Sequence, residues 1–569
     1  GLGDVYKRQD QNNIALAYRN IKNNKGSNTP GVNQTIIKDI DQYEISEWID
    51  YIRHWFENFK PMPVRRVEIE KPGGGIRPLG MPTIEDRMVQ QCIKQILEPI
   101  AEAKFYHGNY GFRPDKSAEN AIAKVMQLIN INRLHYAVDI DIKSFFDNVD
   151  HGKLIKQMWT MGIRDKKLIV IISRMLKANI EGIGIPQKGV PQGGIISTLL
   201  SNIVLNELDW WIYGQWEGMK TRKYYSQQYS KVKALKKTDL KEMYIVRYAD
   251  DFKILTNNYK SAQKIFIAVT NWLKERLKLD ISREKSMVIN LRRNYSNFLG
   301  FKLKAVKKKQ GKYVVKSSIA DKAKIKIIKN YREQIETIRK NIKRYNVEKL
   351  NSMILGWHNY YSIATHVNID FGEINFLVRK RLFNQTRNIR SDWLYESKTY
   401  NRFYGKYNFR PISICKITIY PLAGIGFRIP KLMKMIASRY TVQGRFYIHK
   451  DLAGEFKDVI KFLINNPLKG ESSQKNDNRI SLYVGQKGLC HVTKKPLDIL
   501  NMIMRNKLPR NKGGNDKYHN LVLVNKDVSN LIDEEDVLKA SEYREKIGLE
   551  KKALNKVNTL RKLVGNPMI

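Results

Sequence analysis

From about Ile14 to Gly300 the chain alternates between two spacings of apolar residues, one helical and one of every second position, as a mixed α+β fold does. Ile84–Ile100 shows the helical spacing: Met88, Cys92, Ile96 and Ile100 share a face. Thr83 stands where an N-cap belongs, acids follow it, and Pro82 lies ahead of the cap, where it interrupts nothing. Tyr136–Ile142 shows the strand spacing, with Val138, Ile140 and Ile142 on one side and Asp139 and Asp141 on the other. Met243–Leu255 reads as two apolar strands broken at Ala249-Asp250-Asp251, a hairpin-like turn. Near Phe298-Leu299-Gly300-Phe301 the pattern changes. Between Lys307 and Lys349, 15 Lys or Arg face 4 Asp or Glu on segments of helical periodicity, and helical stretches follow around Val347–Ala364 and Phe371–Arg390. Beyond Asn401 the elements are short and mixed. A polar run from Gly470 to Asp477 reads as a linker, and a last small domain starts at about Ile480.

Charge changes the picture more than composition does. Hydrophobic residues make up 42% of the 569, enough to build cores, but 102 Lys and Arg against 55 Asp and Glu leave a formal charge of +47. An excess of that size repels itself in a compact chain and implies a polyanionic partner, nucleic acid first among them. Cys92, Cys415 and Cys490 have no paired spacing, which excludes a disulfide framework and a four-cysteine zinc site. No apolar run approaches the ~18 residues a membrane span needs, and no charged-then-apolar leader is visible, so a cytoplasmic protein is expected. Gly1–Gln9 contains no initiator Met, resembles a translated sequencing-adapter sequence, and is set aside as a non-native leader.

Phosphoryl transfer to a nucleotide calls for hard-cation ligands, carboxylate oxygens on rigid strands, because two Mg2+ ions must sit about 3.5–4 Å apart. One Asp ends a strand here (Asp141) and a pair sits in a strand–turn–strand (Asp250 and Asp251). The three converge only if their strands are neighbours in one sheet. An Asp-Asp turn alone can equally be a solvated turn.

The surrounding text decides between these. In order the chain carries Pro30-Gly31-Val32-Asn33, Lys71-Pro72-Gly73-Gly74-Gly75-Ile76-Arg77-Pro78-Leu79, Tyr110-Gly111-Phe112-Arg113-Pro114 and Asp141-Ile142-Lys143-Ser144-Phe145-Phe146-Asp147. Pro191-Gln192-Gly193-Gly194-Ile195-Ile196-Ser197, Tyr248-Ala249-Asp250-Asp251, Glu284-Lys285-Ser286 and Phe298-Leu299-Gly300-Phe301 complete the series. Together they resemble the ordered sequence blocks of a group II intron reverse transcriptase. Gly356-Trp357-His358-Asn359-Tyr360-Tyr361 looks like the signature of that family's maturase domain, the helical thumb that grips intron RNA.

The resemblance implies a right-hand polymerase: fingers and palm over 10–304, a thumb and maturase domain over 305–400, a DNA-binding region and linker over 401–475, and a small ββα-like module over 476–569. It makes Asp141, Asp250 and Asp251 the catalytic, metal-binding carboxylates for two Mg2+ ions, with Asp251 the least tied to direct contact. Lys71 and Arg77 resemble residues that hold the incoming deoxynucleoside triphosphate, a task suited to a point charge and a planar fork. Phe146 fits the aromatic that crowds the sugar 2′ position, or else plain core packing. Gln192 and Gly193 fit the loop beside the nascent pair. Lys285 is similar to a Lys that meets the primer, or is a solvated surface Lys. Arg113 reaches template backbone or an internal carboxylate. Trp216–Lys241, with Lys220, Arg222 and Lys223 among tyrosines, resembles an RNA-binding insertion, or is a solvated basic loop. Trp357, Tyr360 and Tyr361 read as core aromatics rather than RNA platforms.

The tail resembles the HNH endonuclease that many of these proteins carry, but its chemistry looks lost. Arg505 and Asn506 stand where the family has paired His before Lys507-Leu508-Pro509; Asn525, Ser529 and Asp533 stand where later His are expected; Thr493 replaces the second cysteine of a zinc knuckle, so no zinc is expected. His491 and His519 read as surface histidines. The partners implied are intron RNA, a DNA target or primer, and deoxynucleotides, with no membrane. The function implied is RNA-directed DNA synthesis plus splicing assistance; the rivals are a splicing-only maturase, a host-adopted reverse transcriptase and a DNA endonuclease.

Overall fold

The computed structural model describes residues 9–569 apart from 23, 41–44, 71–75, 392–396, 435–436, 442, 445–457, 460–461, 464–465, 467, 469–470, 472 and 517, and only the backbone of 25, 45–46, 77, 473–474 and 476–477. The expected leader up to Arg8, and Lys71 with the glycines beside it, therefore lie outside the described residues.

After the helices Gln11–Lys22 and Ile45–Glu57 comes a hairpin, in which β1 (Arg65–Glu70) pairs antiparallel with β2 (Ile76–Met81). The helix Ile84–Glu102 follows at once, because Thr83 caps it by accepting from the Asp86 amide at 3.3 Å. Its buried residues include Met88, Cys92, Leu97 and Ala101, whereas Ile96 and Ile100 are only half-buried. The expected single face is not what forms: Ile84 to Ile93 are buried on every side, and burial then passes to Leu97 and Ala101, about half a turn round from Met88. The Gln95 amide, on the Met88 side of the helix, donates to Asn13, on the helix Gln11–Lys22.

The central sheet is antiparallel throughout. Its strands are β3 (Tyr136–Ile140), β4 (Tyr244–Tyr248), β5 (Asp251–Thr256) and β6 (Met287–Asn290), in the order β4-β5-β3-β6. The helix Tyr259–Leu277 packs on β3 and β6, and the helix Ala118–Asn130 on β4. Asn258 and Ser117 cap them through the Ser261 and Asn120 amides. Asp139, on the polar side of β3, meets the buried Lys253 ammonium at 2.7 Å and accepts from Ser296, which neutralises it in place. Asp141, two residues on, has no such partner within the sheet.

A second sheet runs β7 (Ser296–Phe298), β8 (Phe301–Lys307), β9 (Tyr313–Ile319). The stretch expected to be helical from Lys307 therefore begins with a strand: its lysines suggested a helix, but Val315, Ser317 and Ile319 alternate inward on β9. β8 also runs through residue 304, where a boundary was expected. Helices then occupy Asp321–Lys340, Arg344–Tyr361 and Val367–Thr386, the first packing on the other two. Further on, Arg428 donates to both oxygens of Glu119 (2.7 and 2.9 Å), and Arg439 to both of Asp115, fastening this segment to the start of Ala118–Asn130.

The last unit has a hydrophobic core of its own, including Leu523, Val528, Leu531, Ile532 and Val557. Its helix Ser473–Gly485 runs through the second half of the stretch read as a linker. β12 (Met502–Asn506) pairs antiparallel with β13 (Leu521–Asn525), and the helix Lys526–Asp533 follows, a ββα order; the labels β10 and β11 belong to the short pair Ser413–Ile414 and Ile417–Thr418. Among the described residues no helix is long and apolar enough to cross a membrane.

Candidate active site

Register brings the carboxylates together. Ile140 lies opposite Phe252, and Tyr248 opposite Asp251, so the residue after β3 arrives beside the first residue of β5 and the turn that precedes it. Asp141, Asp250 and Asp251 thus occupy one end of one sheet, as neighbouring strands require. Among the described residues no three His, Cys, Asp or Glu side chains stand close enough to hold one ion, so it is strand register that places these three together. Asp141 is half-exposed and faces the Lys285 ammonium at 3.5 Å; its amide donates to Ser286 Oγ. Asp251 is open to solvent on one side yet hemmed in on the others. Its carboxyl is pushed up to about 6 by that crowding, with the Asp139 and Asp250 charges adding and the Lys253 ammonium and Leu299 amide opposing.

The Asp-Asp turn is strained. Ala249 has φ 59, a left-handed conformation that costs an L-residue about 1 kcal/mol. Three supports hold it. Arg247 donates from Nη1 to the Ala249 carbonyl at 2.8 Å, and its charge is balanced by Asp209 in a fully buried pair at 2.6 Å. Asn202 Oδ1 accepts from the same guanidinium and its amide donates to the Gly111 carbonyl. Gly111 lies flat against the turn: a Cβ there would stand 2.0 Å from the Ala249 amide nitrogen. Sequence reading missed Arg247, Asp209 and Asn202. The one available signal was a charged residue inside the apolar run Tyr244-Ile245-Val246-Arg247-Tyr248.

A cleft of about 580 Å³ is lined by Phe146, Gln192, Gly193, Leu79, Phe112 and Lys94, among others, and the Phe112 ring stands 6.3 Å from that of Tyr248, just ahead of the Asp-Asp turn. Phe145 is buried, while Phe146 is half-buried, packs edge-on against it at 5.4 Å, and turns toward the cleft. The loop carrying Gln192 is zipped to β2, since the Gly80 amide donates to the Gln192 carbonyl at 2.7 Å. Gly193 has φ 116, and a Cβ there would meet the Gly80 carbonyl oxygen at 2.7 Å, so only glycine fits. Arg77 lies opposite Ile69 on β2, the strand that holds this loop through Gly80; its side chain is outside the described residues.

Three other expectations resolve differently. Arg113 does not reach toward a template. It is buried, donates from Nε and Nη2 to Glu102 (2.9 Å each), and from Nη1 to the carbonyls of Tyr106 and Asn109, so the internal carboxylate claims it. Lys220, Arg222 and Lys223 are all exposed, with Tyr224 and Tyr229 beside them 87% and 76% exposed, an open basic surface apart from the cleft lining. Trp357 and Tyr361 pack against the core, whereas Tyr360 is 42% exposed, stacks on Phe301 and donates its hydroxyl to the Leu299 carbonyl at 2.9 Å. In the last unit, Arg505 donates to both oxygens of Asp533 and to Ser529, and Asn525 caps the helix through the Val528 amide. His519 is exposed as expected, but His491 is half-buried, and burial lowers it to about 4.

Residues 69–303 match the reverse transcriptase (RNA-dependent DNA polymerase) family. The chain is 32% identical to protein YkfC of Escherichia coli, an alignment covering 54% of this chain and 84% of that one. It is 29% identical to the group II intron-encoded protein LtrA of Lactococcus lactis, over 51% of this chain and only about half (54%) of LtrA. It is 23% identical to the maturase-like protein 1 of Euglena gracilis, over 72% of this chain and 83% of the relative. With its paired carboxylate strands, its glycine-walled cleft and these relatives, the chain belongs to the reverse transcriptase family, the RNA-dependent DNA polymerases.

Proposed function

We propose that the protein serves a group II intron as both maturase and reverse transcriptase: it binds the intron RNA, supports the splicing-active shape, and copies RNA into DNA from a primer 3′-hydroxyl. The observation that carries this reading is the register that brings Asp141 beside Asp250 and Asp251 at one end of the central sheet. Names of relatives aligned over the polymerase and beyond it support the intron and maturase parts.

The carboxylates suit Mg2+ in kind, being hard oxygen donors at strand ends; burial is what chiefly raises Asp251, and the Asp139 and Asp250 charges that add to it are a field a cation relieves. Asp141 and Asp250 would hold the two ions, with Asp251 beside them; bound Mg2+ would supply an activated primer hydroxyl and charge neutralisation for the leaving pyrophosphate. The other tasks fall to the chain itself. Phe146 would close the 2′ side of the sugar, and Gln192 and Gly193 would let the new pair approach backbone. Arg77 and Lys71 would bind the triphosphate. Lys285 would meet the primer, and Lys220, Arg222 and Lys223 the RNA phosphates.

The C-terminal ββα unit is read as an HNH-like module without nuclease chemistry. Its support is local: where a base and metal ligands would be needed, Arg505 is held by Asp533 and Ser529, and Asn525 serves as a helix cap. A supercoiled plasmid carrying the insertion site should stay uncut in Mg2+ or Mn2+; nicking that vanishes in His519→Ala would show a rebuilt site.

The polymerase reading is tested by primer extension. Purified protein should extend a DNA primer on an RNA template with Mg2+, and Asp250→Ala should abolish extension while the protein keeps its RNA affinity. Full extension by Asp250→Ala would sink the assignment.

A further inference from the structure

Phe112 is in the wrong conformation and the wrong place for a structural phenylalanine. Its φ is 54, a left-handed backbone that a bulky residue adopts rarely and at a cost, and its side chain is 47% exposed. Glycine or asparagine would occupy that backbone with less strain. The chain gives it no alternative, because both flanks are locked. Gly111 is wedged against the Ala249 amide, and Arg113 is anchored in Glu102 and two backbone carbonyls. Between those fixed points Phe112 is pushed outward into the cleft that Phe146, Gln192 and Gly193 also line. Its ring sits 6.3 Å from that of Tyr248 at 48°, so its tilt is set from the side that carries the Asp-Asp turn.

From this placement we infer that Phe112 is a nucleobase platform: its ring stacks on one base at the growing end of the bound duplex. A phenyl ring offers no hydrogen bond and no charge, which excludes phosphate as its target, and with the sugar already assigned to Phe146 the flat face of a base is left for Phe112. Every base has such a face, so the contact is indifferent to sequence, as copying requires. The strain buried in its flanks fixes the ring before substrate arrives, and the stacking surface needs no reorganisation on binding. The inference rests on the polymerase reading, and two bases could supply the face: the first unpaired template base or the base of the primer terminus.

The test uses the full chain and measures the Kd for a recessed RNA–DNA duplex alongside extension. Phe112→Gly keeps the left-handed backbone without strain and removes the ring, and Phe112→Trp keeps a ring. Phe112→Gly should weaken duplex binding about tenfold, and Phe112→Trp should restore most of it. A duplex abasic at the first unpaired template position, and another abasic at the primer terminus, identify the source. The Phe112→Gly penalty should vanish on one of the two and persist on the other. A penalty that survives both abasic duplexes, or no penalty on the intact duplex, overturns the platform while normal extension by the unaltered protein leaves the polymerase reading standing. An unaltered protein that extends nothing overturns both.

Discussion

Ala249 concentrates at one residue what the whole polymerase sheet is arranged to hold. Its left-handed backbone aims the Asp-Asp pair, and the Arg247 guanidinium and the flat face of Gly111 keep it there. Gly111→Ala should therefore act on chemistry more than on stability: the new methyl must push the turn, and a shift near 1 Å in such a site costs about 100-fold in rate. Extension rate measured beside the thermal midpoint checks this, and an active Gly111→Ala would mean that the turn is softer than its supports suggest. Phe146 is separable from it. Phe146→Val should raise ribonucleotide incorporation roughly 10- to 100-fold with deoxynucleotide use largely kept; unchanged selectivity would make Phe146 a packing residue. These positions differ in how far sequence could read them. The strand-end placing of Asp141, and of Asp250 in the turn between two strands, was legible from alternation alone. For Arg113 an internal carboxylate was one of two readings, but no local pattern could name Glu102 as that carboxylate. Arg247 depends in the same way on Asp209, 38 residues earlier.

At the scale of elements, hairpins declared themselves where turn and alternation agreed. Phe298 and Phe301 face each other across Leu299 and Gly300, both at positive φ, the geometry a two-residue hairpin loop prefers. β9 stayed hidden because Lys307, Lys308, Lys309 and Lys312 ahead of it, with Lys316 inside it, mimic the basic helices that follow. The helix Arg344–Tyr361 holds a group the signature left unexplained. His358 is buried, with its two ring nitrogens set against the Tyr404 hydroxyl (2.9 Å) and the Leu422 carbonyl (3.0 Å), an arrangement filled by the neutral ring. Burial lowers it to about 4 from the usual 6.5, so between those values the unfolded chain binds the extra proton. Its stabilisation is complete above pH 6.5 and is lost as pH falls toward 4, on the order of 3 kcal/mol in all. Denaturant midpoints from pH 7.5 to 5 should fall more steeply for the unaltered protein than for His358→Gln. Parallel curves would show that the ring is charged in the fold.

Over the whole molecule the 102 basic residues, set against 55 acidic ones, have two audiences. Some of the 102 basic residues are answered internally by the 55 acids, as when Arg428 and Arg439 fasten a distant segment to Glu119 and Asp115, or Arg505 closes on Asp533. Those pairs were invisible in sequence, since each joins residues brought near only by the fold. The rest faces outward. Lys220, Arg222 and Lys223 are exposed among tyrosines, and the helix Asp321–Lys340 carries a run of lysines on a mainly solvent-facing surface. Outward charge binds RNA largely by releasing counterions, so affinity must fall with salt in proportion to the phosphates met. With six or more contacts, raising salt from about 50 to about 200 mM should weaken RNA binding by about 1,000-fold or more. The slope of log Kd against log salt then counts contacts, and it localises them as well. Replacing Lys220, Arg222 and Lys223 together by Gln should lower the slope on single-stranded RNA by about 2, at about 0.7 per phosphate, and leave extension on a pre-annealed primer nearly intact. Replacing Arg113 should leave the slope alone, because its charge is already answered by Glu102. A salt response that stays flat, or that ignores the triple substitution, would move RNA binding away from this surface and onto stacking and shape.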